Sequence, residues 1–144
     1  MEGTAVTYLL DTAVWLNSFM VPGILPSGIR RLLAAQDHKL VCTISLLETA
    51  ILHRLGRIQV TGPLADFLES AVAEDVELVE LTPAIAAATN DLPRDFQGDP
   101  FDRTIAATAR VLGLTLITPD KRIRDSGCCR VEFYAFKPSR GPRI

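Results

Sequence analysis

Five short apolar and β-branched runs, at residues 6–10, 40–44, 76–81, 114–118 and 131–134, alternate with stretches of helical spacing at 27–35, 45–55, 63–73, 83–92 and 100–112. Near-continuous apolar strands suit a sheet covered on both faces, because neither face then needs the polar half of an alternating pattern. Strands that each lead into a helix run parallel, since the crossover returns the chain to the same end of the sheet. The pattern predicts an α/β fold with a mostly parallel central sheet. At 144 residues the chain matches one domain, placed at 1–136 and followed by a basic tail at 137–144. An irregular loop is expected at 92–98, punctuated by Pro93 and Gly98.

Composition removes several function classes. With 48% hydrophobic and 22% charged residues the chain is too apolar to be disordered. Its 15 basic and 17 acidic residues leave a net charge of -2, which argues against nucleic-acid binding through an overall positive field but leaves local patches open. Cys42, Cys128 and Cys129 form no CxxC and leave one thiol over in any pairing, so neither a disulfide framework nor a structural zinc site is expected. The N-terminus lacks a basic leader, and its apolar stretch is broken by Asp11 and Asn17, so no membrane segment is expected and the location is read as cytoplasmic. Charge is uneven along the chain: ten acids face a single Arg94 over 66–102, whereas 121–143 holds seven basic residues against Asp125 and Glu132. That division describes either two solvated faces or an acidic site bordered by a basic ledge suited to an RNA backbone.

Four acids stand where a strand hands over to a helix: Asp11, Glu48, Asp102 and Asp120. Taken singly, each is accounted for by helix capping or the helix dipole. Ser45 to Glu48 reads as a capping box, and Asp99 precedes Pro100 as a cap precedes a first-turn proline. A parallel sheet, however, brings its strand ends to one edge and would gather these carboxylates, which capping does not explain. Like charges that close demand raised pKa values or a cation, and all-oxygen ligands select a hard ion such as Mg²⁺ or Mn²⁺. With neither a Walker lysine motif nor a glycine-rich phosphate loop, metal-assisted displacement at phosphorus is the natural chemistry.

The segments carrying these acids are LLDTAVWL, ISLLETAILHRLGRI, GDPFDRTIAATARVLG and LTLITPDKRI. Together they resemble a PIN domain, and the last three are most similar to the VapC toxins of type II toxin–antitoxin modules. The resemblance implies a three-layer α/β/α fold and an endoribonuclease that uses one or two Mg²⁺ or Mn²⁺ ions to activate water against an RNA phosphodiester. By position, Asp11, Glu48 and Asp102 would be the central acids and metal ligands, Asp120 would complete the set, and Asp99 would be an accessory ligand or a cap. Thr12 and Thr118 would orient carboxylates or water, and Lys121 and Arg122 would meet RNA. Arg103 is expected in a salt bridge near the site, with RNA phosphate as its alternative partner. Leu47 stands where many relatives carry Trp, and Pro119 biases Thr118 toward an extended conformation, which makes Asp120 the least securely placed acid. A VapB-type antitoxin and a homodimer are the implied partners, with the apolar residues of 24–33 as the expected groove wall.

Other features read as structural. His38 and His53 have no partner at ligand spacing, Trp15, Phe19 and Met20 suit packing, and Cys128 and Cys129 suit burial better than redox chemistry. A receiver domain would want paired acids after the first strand, and a haloacid-dehalogenase-type phosphatase would want Asp where Ala13 stands. The remaining alternative is a PIN-like RNA-binding or regulatory module that does not cut.

Overall fold

The computed structural model describes residues 6–72, 75–94, 96 and 98–135; the basic tail expected at 137–144 lies outside them. The apolar runs form five strands, β1 (Tyr8–Leu10), β2 (Lys39–Cys42), β3 (Val76–Val79), β4 (Thr115–Thr118) and β5 (Arg130–Phe133). They build one sheet in the order β3-β2-β1-β4-β5 with every pairing parallel. From β1 the chain winds outward to β3, then crosses back to place β4 on the other side of β1. The carboxyl ends of β1 and β4 therefore flank the topological switch point, where ligands bind in open α/β sheets.

The connecting helices are α1 (Thr12–Met20), α2 (Ser27–Ala34), α3 (Ile44–Arg54), α4 (Leu64–Ala71), α5 (Pro83–Ala88), α6 (Pro100–Leu112) and α7 (Lys121–Ser126). The strand period of two divides the core into halves. Leu9 and Leu116 pack with Ile105, Ala106 and Ala109 of α6 and Ile123 of α7. Their chain neighbours Leu10 and Ile117 pack on the opposite face with Val14, Trp15, Ile29 and Leu33. The result is the three-layer α/β/α arrangement. Small side chains at Ala106, Ala107 and Ala109, all buried, let α6 lie close to the sheet. Gly113 ends that helix at φ 67°, with its N–H on the Ala109 carbonyl, so the chain can turn back into β4.

Three expectations are corrected. The helical stretch at 83–92 closes at Ala88 and continues as a 3₁₀ turn, Thr89–Asp91. The capping box is absent: α3 begins at Ile44 with Thr43 at the cap position, so Ser45 lies inside the helix and its side chain turns to Thr12. The apolar residues of 24–33 are not an exposed surface: Leu25, Ile29 and Leu33 are buried against the sheet, and Leu25 and Leu33 edge a small cleft of about 220 Å³ beside Arg30. Their spacing is that of the inward face of α2, which the same pattern also permits when read as an exposed stripe. Ile29→Ala should destabilise the protein by about 2–4 kcal/mol in urea unfolding, whereas a surface groove residue would lose less than about 0.5 kcal/mol.

Candidate active site

Asp11 immediately follows β1, and its own N–H still bonds the Ile117 carbonyl of β4 at 3.1 Å. The backbone turns there into α1, and the carboxylate caps the helix by accepting from the Thr12 N–H at 2.8 Å. Its second oxygen accepts from the Thr118 hydroxyl at 2.6 Å, tying the ends of β1 and β4 together. The same Thr118 oxygen accepts from the Asp120 N–H at 3.0 Å, which fixes the turn carrying Asp120. On the other side of Asp11, the Thr12 hydroxyl shares a 2.7 Å hydrogen bond with Ser45 Oγ of α3.

Glu48 stands one turn beyond Ser45 on that face of α3. Asp99 and Asp102 open α6, where the Asp99 carboxylate accepts from the Asp102 N–H at 2.9 Å. Gly98 permits the close approach of the preceding loop: a Cβ there would meet the Phe96 ring at 2.6 Å and Asp102 Cβ at 3.1 Å. These elements converge on an open cleft of about 390 Å³ lined by Asp11, Glu48, Asp99, Asp102 and Asp120, with Arg57 and Arg122 on its walls.

Within the cleft, oxygens of Glu48, Asp99 and Asp102 all lie within 4.8 Å of one another. The electrostatics record the crowding. Burial, reinforced by Asp11, Asp99, Asp120 and Glu48, pushes Asp102 up to about 7. Burial likewise raises Asp11 and Glu48, and in both cases hydrogen bonds from threonine hydroxyls offset only part of the rise. Glu48 Oε1 is buried with no hydrogen-bond partner among the described residues. A carboxylate with an orphaned oxygen, grouped with two further carboxylates, is a donor set suited to a hard cation.

Residues 8–127 match the family described as the PIN domain. The chain belongs to the PIN domain family. It is 38% identical over 120 residues to Ribonuclease VapC22 of Mycobacterium tuberculosis, covering 82% of this chain and 90% of the relative. Among solved structures it is similar to a DNA-bound VapBC from Salmonella typhimurium, with a TM-score of 0.68 and 19% identity over 90% of this chain and 98% of that one. A VapBC2 from Rickettsia felis bound to a promoter DNA fragment gives 0.65 and 15% over 89% and 98%. FitAcB from Neisseria gonorrhoeae gives 0.62 and 20% over 89% and 97%. At these identities the structures establish the PIN fold.

All five acids singled out from the sequence line the cleft of this PIN domain. The tightest grouping joins Glu48, Asp99 and Asp102, so Asp99 is both the cap of α6 and a member of the cluster. Thr12 and Thr118 hold carboxylates in place, as described. Among the described residues Arg103 makes no salt bridge: next to Asp102 in the chain, it donates to the Phe96 carbonyl at 3.1 Å and the Thr89 carbonyl at 2.7 Å, with its guanidinium over the Phe96 ring. Lys121 is exposed at the start of α7, and Arg122 lies on the acids themselves, 3.1 Å from both Asp102 Oδ2 and Asp120 Oδ2.

Sequence reasoning missed Arg57 and the true role of Ser45. Arg57 reaches the cleft because Gly56, at φ 74°, turns the chain back beyond α3. For Ser45 the signal was present, since Ser45, Glu48, Thr49 and Leu52 share one helical face.

Because Asp102 has a folded pKa near 7, against about 3.9 unfolded, the folded protein binds more protons than the unfolded chain between those values. The stability this contributes at low pH is lost as pH rises through the folded pKa. Thermal unfolding in EDTA should therefore give a lower Tm at pH 8 than at pH 5, and Asp102→Asn should narrow the gap by several degrees, at about 3 °C per kcal/mol for a domain of this size. A gap unchanged by the substitution would contradict the assignment.

Proposed function

We propose that the protein is a metal-dependent endoribonuclease, the toxin of a VapBC-like module, cutting RNA in the cleft at the carboxyl edge of the sheet. The observation that carries this reading is the Glu48, Asp99 and Asp102 cluster with its orphaned buried oxygen. The 38% identity to a protein named as a ribonuclease gives the activity class. A non-cutting RNA-binding module is disfavoured by the same cluster, since raised carboxylates without a catalytic duty would only destabilise such a fold.

Glu48, Asp99 and Asp102 would hold Mg²⁺ or Mn²⁺, with Asp11 and Asp120 completing the cleft. When bound, such an ion supplies Lewis acidity and lowers the pKa of an attached water. The chain positions the rest. Thr118 and the Thr12 N–H fix the orientation of the Asp11 carboxylate, and the Thr12–Ser45 pair sets the spacing between α1 and α3. In the reaction the water oxygen bonds to phosphorus, the P–O3′ bond breaks and a proton goes to the leaving 3′ oxygen, giving 5′-phosphate and 3′-hydroxyl ends. Arg122 and Arg57 bring positive charge to the cleft for the phosphates on either side, with the exposed Lys121 next to Arg122 in the chain, so a net negative chain still offers a local basic rim. Arg103 contributes by clamping the backbone at Thr89 and Phe96 to α6.

The partner in this reading is a VapB-type antitoxin. Its apolar segment has a cleft of about 540 Å³ to enter, where Trp15, Phe19, Phe67 and Val76 stand beside the paired Lys39 and Asp75. Phe19 is 43% exposed at its mouth. The homodimer is assigned to the outward side of α3 and the residue that caps its end, where Leu47 and Leu55 are 53% and 60% exposed. Among the described residues no helix is long and apolar enough to cross a membrane, and a cytoplasmic location belongs to the same reading.

Two experiments test this reading. Glu48→Gln should lower RNA cleavage at least about 100-fold while the circular dichroism spectrum stays unchanged, and full activity in the purified variant would overturn the assignment. Phe19→Ala should weaken the complex with the cognate antitoxin roughly tenfold in a binding titration, the loss typical of a buried aromatic anchor; unchanged affinity would move the docking surface elsewhere.

A further inference from the structure

Arg122 is paired with the carboxylates of the cleft, a position that a phosphate-holding role alone does not explain. The Asp120 carboxylate caps α7 by accepting from the Arg122 N–H at 2.8 Å, and the Arg122 side chain folds back over that same cap. Its Nη2 then bridges Asp102 Oδ2 and Asp120 Oδ2, both at 3.1 Å. The guanidinium thus sits on Asp102, an acid that belongs to the Glu48, Asp99 and Asp102 cluster. The two partners differ in exposure. Arg122 is 53% exposed, whereas the Asp102 and Asp120 side chains are 16% and 17% exposed. The cation therefore lies on the solvent side of a recessed acid pair, where ion pairs are weak and can be exchanged. It also has somewhere to go: Arg122 lines both the acidic cleft and an adjoining one of about 220 Å³ walled by Phe96, Asp125 and Ser126.

We propose that Arg122 is an internal counter-ion, holding Asp102 and Asp120 when the cleft is without metal and leaving them in exchange for a divalent cation. The inference rests on the metal-site reading given under Proposed function and goes beyond it by making metal entry a competition with the protein's own side chain. A doubly charged ion among three carboxylates outcompetes one delocalised guanidinium, which then turns toward the Asp125 side. That exchange makes the phosphate-holding cation available only in the loaded protein. The device also explains how the chain tolerates a carboxylate cluster while it is empty. By linkage, whatever stabilises the Arg122 bridge must weaken metal binding by the same factor.

The test is a Mn²⁺ titration of the full chain, followed by the electron paramagnetic resonance signal of the free ion. Wild type would be compared with Arg122→Met and Arg122→Gln. Both substitutions are at an exposed side chain and leave the Asp120 cap on α7 in place. Removing the competitor should tighten Mn²⁺ binding roughly fivefold, in line with weak, exposed ion pairs given up on loading. The same variants should melt at a lower temperature than wild type in EDTA and show a larger rise on adding Mn²⁺. Wild-type binding with unchanged or weaker affinity in both variants would overturn the counter-ion role while leaving the metal site standing. An absence of Mn²⁺ binding in wild type and variants alike would overturn both readings together.

Discussion

Five carboxylates share one cleft, and three of them bring oxygens within 4.8 Å of one another. Even at high effective dielectric, charges at such separations repel by about 1 kcal/mol or more per pair. The surrounding structure is arranged to bear that load. Burial raises Asp11, Glu48 and Asp102, hydroxyls of Thr118 and Thr12 share their oxygens, and Arg122 covers Asp102 and Asp120 from the solvent side. What remains unanswered is Glu48 Oε1, buried and without a partner among the described residues. A fold that places an orphaned acceptor there has kept a place for a cation.

The sheet makes the gathering possible. Because β1 is central and every pairing is parallel, the segments after β1, β2 and β4 all open on one edge. Asp11 and Asp120 come from the two strands flanking the switch point, Glu48 from the helix after β2, and Asp99 and Asp102 from the first turn of α6. Short polar links then set the spacing: Asp11 to Thr118 across the sheet, and Thr12 to Ser45 between α1 and α3. Each link joins elements far apart in sequence, so the site forms only when the whole domain has folded.

The sheet and the acids were legible because each rests on a local signal. Apolar runs mark buried strands, with bounds shifting by one or two residues, and acids at strand exits mark the edge where ligands bind. The details that escaped depend on which way a helix is rolled. Ser45 three residues before Glu48 is the pattern of a cap and equally the pattern of two side chains on one inward face; only the start of α3 at Ile44 decides. Ile29 and Leu33 likewise form an apolar stripe whether it meets solvent or the sheet. Arg103 was hard to read for a different reason: its hydrogen-bond partners among the described residues are backbone carbonyls of a neighbouring segment, which no side-chain pattern announces.

The central claim is that the carboxylates at the sheet edge form a cation site. Anomalous scattering from a crystal soaked in Mn²⁺ tests it most directly. The account predicts a peak bonded to oxygens of Glu48, Asp99 and Asp102, with the Arg122 guanidinium withdrawn from Asp102. A well-soaked crystal with no peak in the cleft, or with manganese bound only elsewhere on the surface, would contradict it.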